Sequence, residues 1–137
     1  MPVVPPIVTG FTAGILIAGQ MLLLVLVVLA RRRNRQSLGD GSNPDLLRAV
    51  RRHGNFAENA AIFLVAFALF EMLGGSRFVL EILCAGFVLG RLSHAVGLSF
   101  KNALNPFRIG GIVVTVIVGI TLGTRLLQLT LPLLHLF

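Results

Sequence analysis

The stretch that decides the fold is residues 8–35, VTGFTAGILIAGQMLLLVLVVLARRRNR. No charge occurs from Met1 to Ala30, and Arg31, Arg32, Arg33 and Arg35 follow at once. The run is too long for the core of a signal peptide, lacks a basic start and is closed by a stop-transfer cluster, so it predicts a retained membrane helix over about residues 7–30. Pro2, Pro5 and Pro6 loosen its beginning.

The rest of the 137 residues has the same character: 55% are hydrophobic, 12% are charged, and the mean hydropathy is +0.91. Too little polar surface remains for a water-soluble domain of this size, which excludes an ordinary cytosolic enzyme. Four apolar spans of about 20 residues fill such a chain, so the expectation is an all-α, integral membrane four-helix bundle forming a single domain over residues 1–137. After the polar loop QSLGDGSN (residues 36–43), Asn43-Pro44-Asp45 reads as cap, first helical position and dipole-complementing acid of a second helix, expected over 44–73 and ended by Gly74-Gly75. Ser76 stands where it can cap a third helix over 77–98, antiparallel to the second because the turn is so short. Asn105-Pro106 repeats the start signal for a fourth helix over 107–131. One cysteine, Cys84, permits no internal disulfide, and His53, His94 and His135 have no partners at metal-ligand spacing.

Eleven of the twelve basic residues are arginine, against five acids, giving a net charge of +7. Seven arginines crowd the first loop and the opening of the second helix, and Lys101 and Arg108 flank the third loop, whereas the intervening turn has Arg77 alone. The positive-inside rule puts loops 31–43 and 99–106 in the cytoplasm and both termini outside. It also accounts for most of the basic excess, Arg31 to Arg35 in particular, and Arg125 reads as a snorkelling residue at the outer face. A nucleic-acid partner is excluded, since the basic residues have neither aromatic interleaving nor an aqueous face.

Topology does not explain the pattern RAVRRHGNFAEN (residues 48–59). Arg48, Arg51, Asn55 and Glu58 follow at steps of three, four and three, a single helix face entering the membrane. Facing lipid there is costly, so the stripe should point into the bundle or a wet cavity. Residues equidistant from the turn at Gly75 lie at similar depth, which sets Arg91 on the third helix opposite Glu58 and predicts that the two pair. His94 follows one turn on, and Arg108 opens the fourth helix close by. An ion pair that merely fixes the hairpin is the structural alternative for Glu58 and Arg91, and a helix–helix hydrogen bond is that for His94. Gly10, Gly14, Gly111, Gly119 and Gly123 are candidates for close helix contacts.

The segments NPDLLRAVRRHGNFAEN, GRLSHAVG and NPFRIGG resemble the MAPEG family, membrane-associated proteins in eicosanoid and glutathione metabolism, over about Asn43 to Gly123. The resemblance implies a homotrimer with glutathione as co-substrate near the cytoplasmic face. It further implies a glutathione site of Arg51, Asn55, Glu58, Arg91 and His94, with Arg108 as the catalytic residue that stabilises the glutathione thiolate. The second substrate would be a lipophilic molecule arriving through the membrane lipid. Those residue types suit a ligand with two carboxylates, an ammonium and a thiol, since arginine forks bind the first, a carboxylate the second, and a nearby cation favours the thiolate. The chain has no tyrosine, carries Leu98 one turn beyond His94, Ile109-Gly110 after Arg108, Ala61 where a proline commonly stands, and Gly54. These departures point away from eicosanoid synthesis and toward the short bacterial branch, in a bacterial cytoplasmic membrane. The competing expectation is a non-catalytic scaffold or lipid-binding subunit built on the same bundle.

Overall fold

A computed structural model describes residues 4–102 and 104–136, the side chains of 135 and 136 excepted. Pro2 and the His135 side chain therefore lie outside the described residues. The elements are α1 (Ile7–Asn34), α2 (Pro44–Glu58), α3 (Ala60–Met72), α4 (Arg77–Gly97) and α5 (Pro106–Thr130), followed by a 3₁₀ turn over Leu131–Leu136. Among the described residues four segments are long and apolar enough to cross a membrane: Ile7–Asn34, Pro44–Met72, Arg77–Gly97 and Pro106–Leu134. The protein is an all-α, multi-pass membrane bundle in which successive spans run antiparallel.

The caps explain why the spans start and stop where they do. Asn43 Oδ1 accepts the amides of Asp45 and Leu46 at 2.9 and 3.1 Å, and Asn105 Oδ1 accepts that of Arg108 at 3.0 Å. Gly74, at φ +78°, closes α3 with a Schellman pair: its amide reaches the Glu71 carbonyl, and that of Gly75 reaches Phe70. Ser76 occupies the cap position of α4, but its side chain makes no capping bond. The first helix continues past Ala30 to Asn34 and ends at Arg35 in the left-handed region. Arg31 does more than set topology, since its Nη1 donates to the carbonyls of Ser37 and Gly39 and folds the first loop back on the helix end.

The central element is α4. Leu80, Leu83, Cys84, Phe87, Gly90, Arg91, His94, Ala95 and Gly97 are buried, a helical seam that is apolar toward the outer end and polar toward the basic end. Its apolar half meets Phe63 and Phe67 of α3, with Phe63 stacked on Phe87 at 4.2 Å and Phe67 edge-on to it at 5.9 Å. Its polar half lies against α5 at backbone distance. A Cβ on Gly111 would stand 2.6 Å from the Gly90 carbonyl oxygen, and one on Gly97 would collide with the Arg108 backbone. Gly119 is also close, facing Phe63, whereas Gly10, Gly14 and Gly123 face open space, contrary to the sequence expectation.

The second span is broken where a continuous helix over 44–73 was expected. Asn59 separates α2 from α3, and its amide turns to the carbonyl of Ala57. A regular helix would send that amide to the carbonyl of Asn55. Arg91 Nη1 from α4 donates to the Asn55 carbonyl instead, at 3.3 Å. A side chain inserted into the helical ladder is a recognised cause of such breaks.

Candidate functional site

A cleft of about 460 Å³ opens between α2/α3, α4 and α5 in the basic half of the bundle. At its polar end stand Asn55, Asn59, Arg91, His94 and Arg108, and it continues past Phe63, Ile112 and Thr115 to Gly119 and Ile120. Among the described residues no acid lines it.

Backbone carbonyls place Asn55, Arg91, His94 and Thr115. Arg91 is 3% exposed, and beyond its bond to Asn55 its Nε is buried without an acceptor. His94, also buried, directs Nδ1 at the Arg108 carbonyl 3.3 Å away, so the ring carries a proton on that nitrogen. That contact needs the α4–α5 approach that Gly97 and Gly111 permit. Asn105 secures the head of α5 by donating to the carbonyls of Gly97 at 2.8 Å and Asn102 at 2.9 Å. Thr115 returns its hydroxyl to the Gly111 carbonyl at 2.7 Å.

Four of the six residues singled out in the sequence, Asn55, Arg91, His94 and Arg108, thus share one cleft. Arg51 and Glu58 do not line it. Both are exposed on α2, one turn either side of Asn55, whose Nδ2 donates to the Arg51 carbonyl at 3.0 Å. The expected Glu58–Arg91 ion pair does not form: among the described residues the pairs are Arg48–Asp45 and Arg77–Glu81. The depth argument was sound, since Arg91 does reach α2 one turn from Glu58. It takes the half-buried Asn55 carbonyl, and the carboxylate stays exposed.

Asn59 belongs to the cleft and was missed, although its step of four from Asn55 continues the polar face. Thr115, two turns beyond Arg108, carried the same kind of signal. A second polar contact lies away from the cleft. Gln20 Nε2 of α1 donates to His53 Nε2 at 2.6 Å, and Arg52 Nη1 donates to Ser99 Oγ at 2.6 Å, joining α1, α2 and the 98–105 loop.

Fold and cleft together define a class: a small helical membrane protein with a cationic, half-apolar cleft opening at its basic end. The sequence profile of the MAPEG family matches residues 9–128. The chain belongs to that family of membrane proteins in eicosanoid and glutathione metabolism. It is similar to the inner membrane protein YecN of Escherichia coli K12, 34% identical over 89 residues, which cover 65% of this chain and 66% of that protein. The YecN of Escherichia coli O6:H1 matches to the same extent. The chain thus spans just under two thirds of the length of the curated relatives it matches.

Proposed function

We propose that this protein is a glutathione-dependent transferase or peroxidase of a bacterial inner membrane, acting on lipophilic electrophiles or hydroperoxides. The observation that carries the reading is Arg91, buried in a cleft without acids and with Nε lacking an acceptor. A buried cation in such surroundings favours an anion strongly, because the low-dielectric setting magnifies the attraction. The cleft volume falls in the range of about 300–1,000 Å³ usual for small-molecule sites. Its two ends match the two reactants, polar for the tripeptide and apolar for a lipophilic partner arriving along α5.

In this reading Arg91 and the Asn55 and Asn59 amides hold glutathione carboxylates and backbone. The guanidinium of Arg108 stabilises the thiolate once the thiol proton has left to water; its sulfur then forms the new bond to the electrophilic carbon as the bond to the leaving group breaks, chloride departing in the case of 1-chloro-2,4-dinitrobenzene. His94 keeps the head of α5, and so Arg108, in place. Arg51 and Glu58, exposed at either side of Asn55, are available to a glutathione bound across a protomer boundary, and Glu58 is the acid suited to its ammonium. A homotrimer would create that boundary.

The test is a titration of purified protein with glutathione, followed by melting temperature and by conjugation of 1-chloro-2,4-dinitrobenzene. Saturable stabilisation is expected, amounting to about 2.7 kcal/mol at a hundredfold excess over Kd. Arg108→Gln should keep most of it while losing conjugation, and Asn55→Ala should weaken it. Wild-type protein that ignores millimolar glutathione in both assays would overturn the proposal in favour of a non-catalytic subunit.

A further inference from the structure

A larger groove, about 650 Å³, lies between α1 and α4 in the opposite half of the bundle from the cleft. Its walls are Ile7, Val8, Phe11 and Ile15 on α1, and Cys84, Ala85, Val88 and Leu89 on α4. Thr12, the hydroxyl residue among them, spends its donor on the Val8 carbonyl at 2.8 Å, so the walls are effectively apolar. From Arg77 to Leu89 the groove follows α4 for about 18 Å. One leaflet of bilayer hydrocarbon is about 15 Å deep.

The rim is charged and two-signed. Arg77 Nε donates to Glu81 Oε1 at 2.8 Å, both side chains being well exposed. Among the described residues this single bond leaves both Nη groups of Arg77 and one oxygen of Glu81 without a hydrogen-bond partner. Glu71, whose two oxygens accept the Val8 and Thr9 amides and the Thr9 hydroxyl at the start of α1, adds a second negative charge near Arg77. A carboxylate one turn inside the end of a span is costly against hydrocarbon unless cations surround it.

We infer that this groove is a binding site for a phospholipid with a primary ammonium headgroup, of the phosphatidylethanolamine type. One acyl chain lies between α1 and α4, the phosphate accepts from Arg77, and the ammonium donates to Glu81. Charge complementarity selects this headgroup over its alternatives. An anionic glycerol headgroup satisfies Arg77 and is repelled by Glu81, and a choline headgroup has no N–H to donate. The site is independent of the glutathione reading, since it shares no residue with the cleft.

The test is photo-crosslinking of purified protein in mixed vesicles with phosphatidylethanolamine carrying a diazirine on one acyl chain. Adducts on Phe11, Ile15, Val88 or Leu89, competed by unlabelled phosphatidylethanolamine and about fivefold less by the choline or glycerol lipid, are expected. Glu81→Gln should erase that headgroup preference. Ala85→Phe, at an exposed position, should block the groove and remove the adducts while the melting temperature holds. Adducts spread equally over the exposed Val113 and Ile117 of α5 would overturn the inference, as would adducts indifferent to headgroup. Absence of adducts from the groove would also overturn it.

Discussion

Replacing Arg91 by leucine should mend the second span. The break at Asn59 exists because the Asn55 carbonyl accepts from Arg91, which leaves the Asn59 amide to turn to Ala57. A hydrogen bond from a charged donor contributes about 1.5–3 kcal/mol, and a neutral backbone bond about 0.5–1.5 kcal/mol, so the arginine wins the competition for that carbonyl. In Arg91→Leu the competitor is gone and the regular bond from Asn59 to Asn55 becomes the favoured arrangement by roughly 0.5–1.5 kcal/mol. Amide hydrogen exchange in detergent micelles reads this directly, as protection of the Asn59 amide rising roughly two- to tenfold, while amides of α1 keep their rates. The melting temperature should change little, because the lost bond is offset by removal of a buried charge. Asn59→Ala is the control: with Arg91 present, residue 59 should remain poorly protected although alanine is the better helix former. Should the helix close in Asn59→Ala and stay open in Arg91→Leu, the break would belong to local sequence and this account would fail.

Three further outcomes follow from the packing. Gly111→Ala places a methyl 2.6 Å from both the Gly90 carbonyl oxygen and the His94 amide, and should destabilise by about 1–3 kcal/mol in thermal unfolding, whereas Gly123→Ala, in open space, should be neutral or slightly stabilising. Glu71→Ala removes three hydrogen bonds at the start of α1 and should release protection of the Val8 and Thr9 amides, with a loss of about 1–3 kcal/mol. Asn43→Ala should cost about 0.5–2 kcal/mol, and Ser76→Ala, whose side chain caps nothing, less than about 0.5 kcal/mol.

What the sequence revealed and what it concealed divide along the range of the interaction. Span positions follow from runs of apolar residues and from caps such as Asn43 and Asn105, which act on amides two or three residues away, so local reading located them. The break at Asn59 arises from a side chain 36 positions along the chain from the carbonyl it engages. No proline or glycine marks it. Glu71 closes the second span in sequence but serves the first in space, across 62 and 63 positions. Glycines show the same limit. Gly10 and Gly111 look alike as small residues in apolar runs, and only knowledge of which face meets a neighbour separates the open site from the tight one.

The ion pair expected from the sequence and not formed is what gives the cleft its charge. Had Glu58 met Arg91, two opposite charges would have cancelled inside the bundle, and a buried pair of that kind adds little net stability. Arg91 is held instead by a neutral carbonyl, and His94 likewise by the carbonyl of Arg108. Backbone carbonyls can serve this way because Gly90, Gly97 and Gly111 bring α4 and α5 together at backbone distance, and because Arg91 takes the Asn55 carbonyl in place of the Asn59 amide. Carbonyl dipoles orient the two side chains without neutralising Arg91. The acids remain outside, Glu58 on the exposed face of α2 and Glu71 at the far end of the span, so among the described residues no carboxylate shares the cleft with Arg91. On the proposed glutathione reading, moving an acid into the cleft, as in Thr115→Glu, should abolish stabilisation by glutathione even if the protein folds and melts as before, whereas Thr115→Gln of the same size should retain it; equal responses from the two variants would mean that charge is not what the cleft contributes.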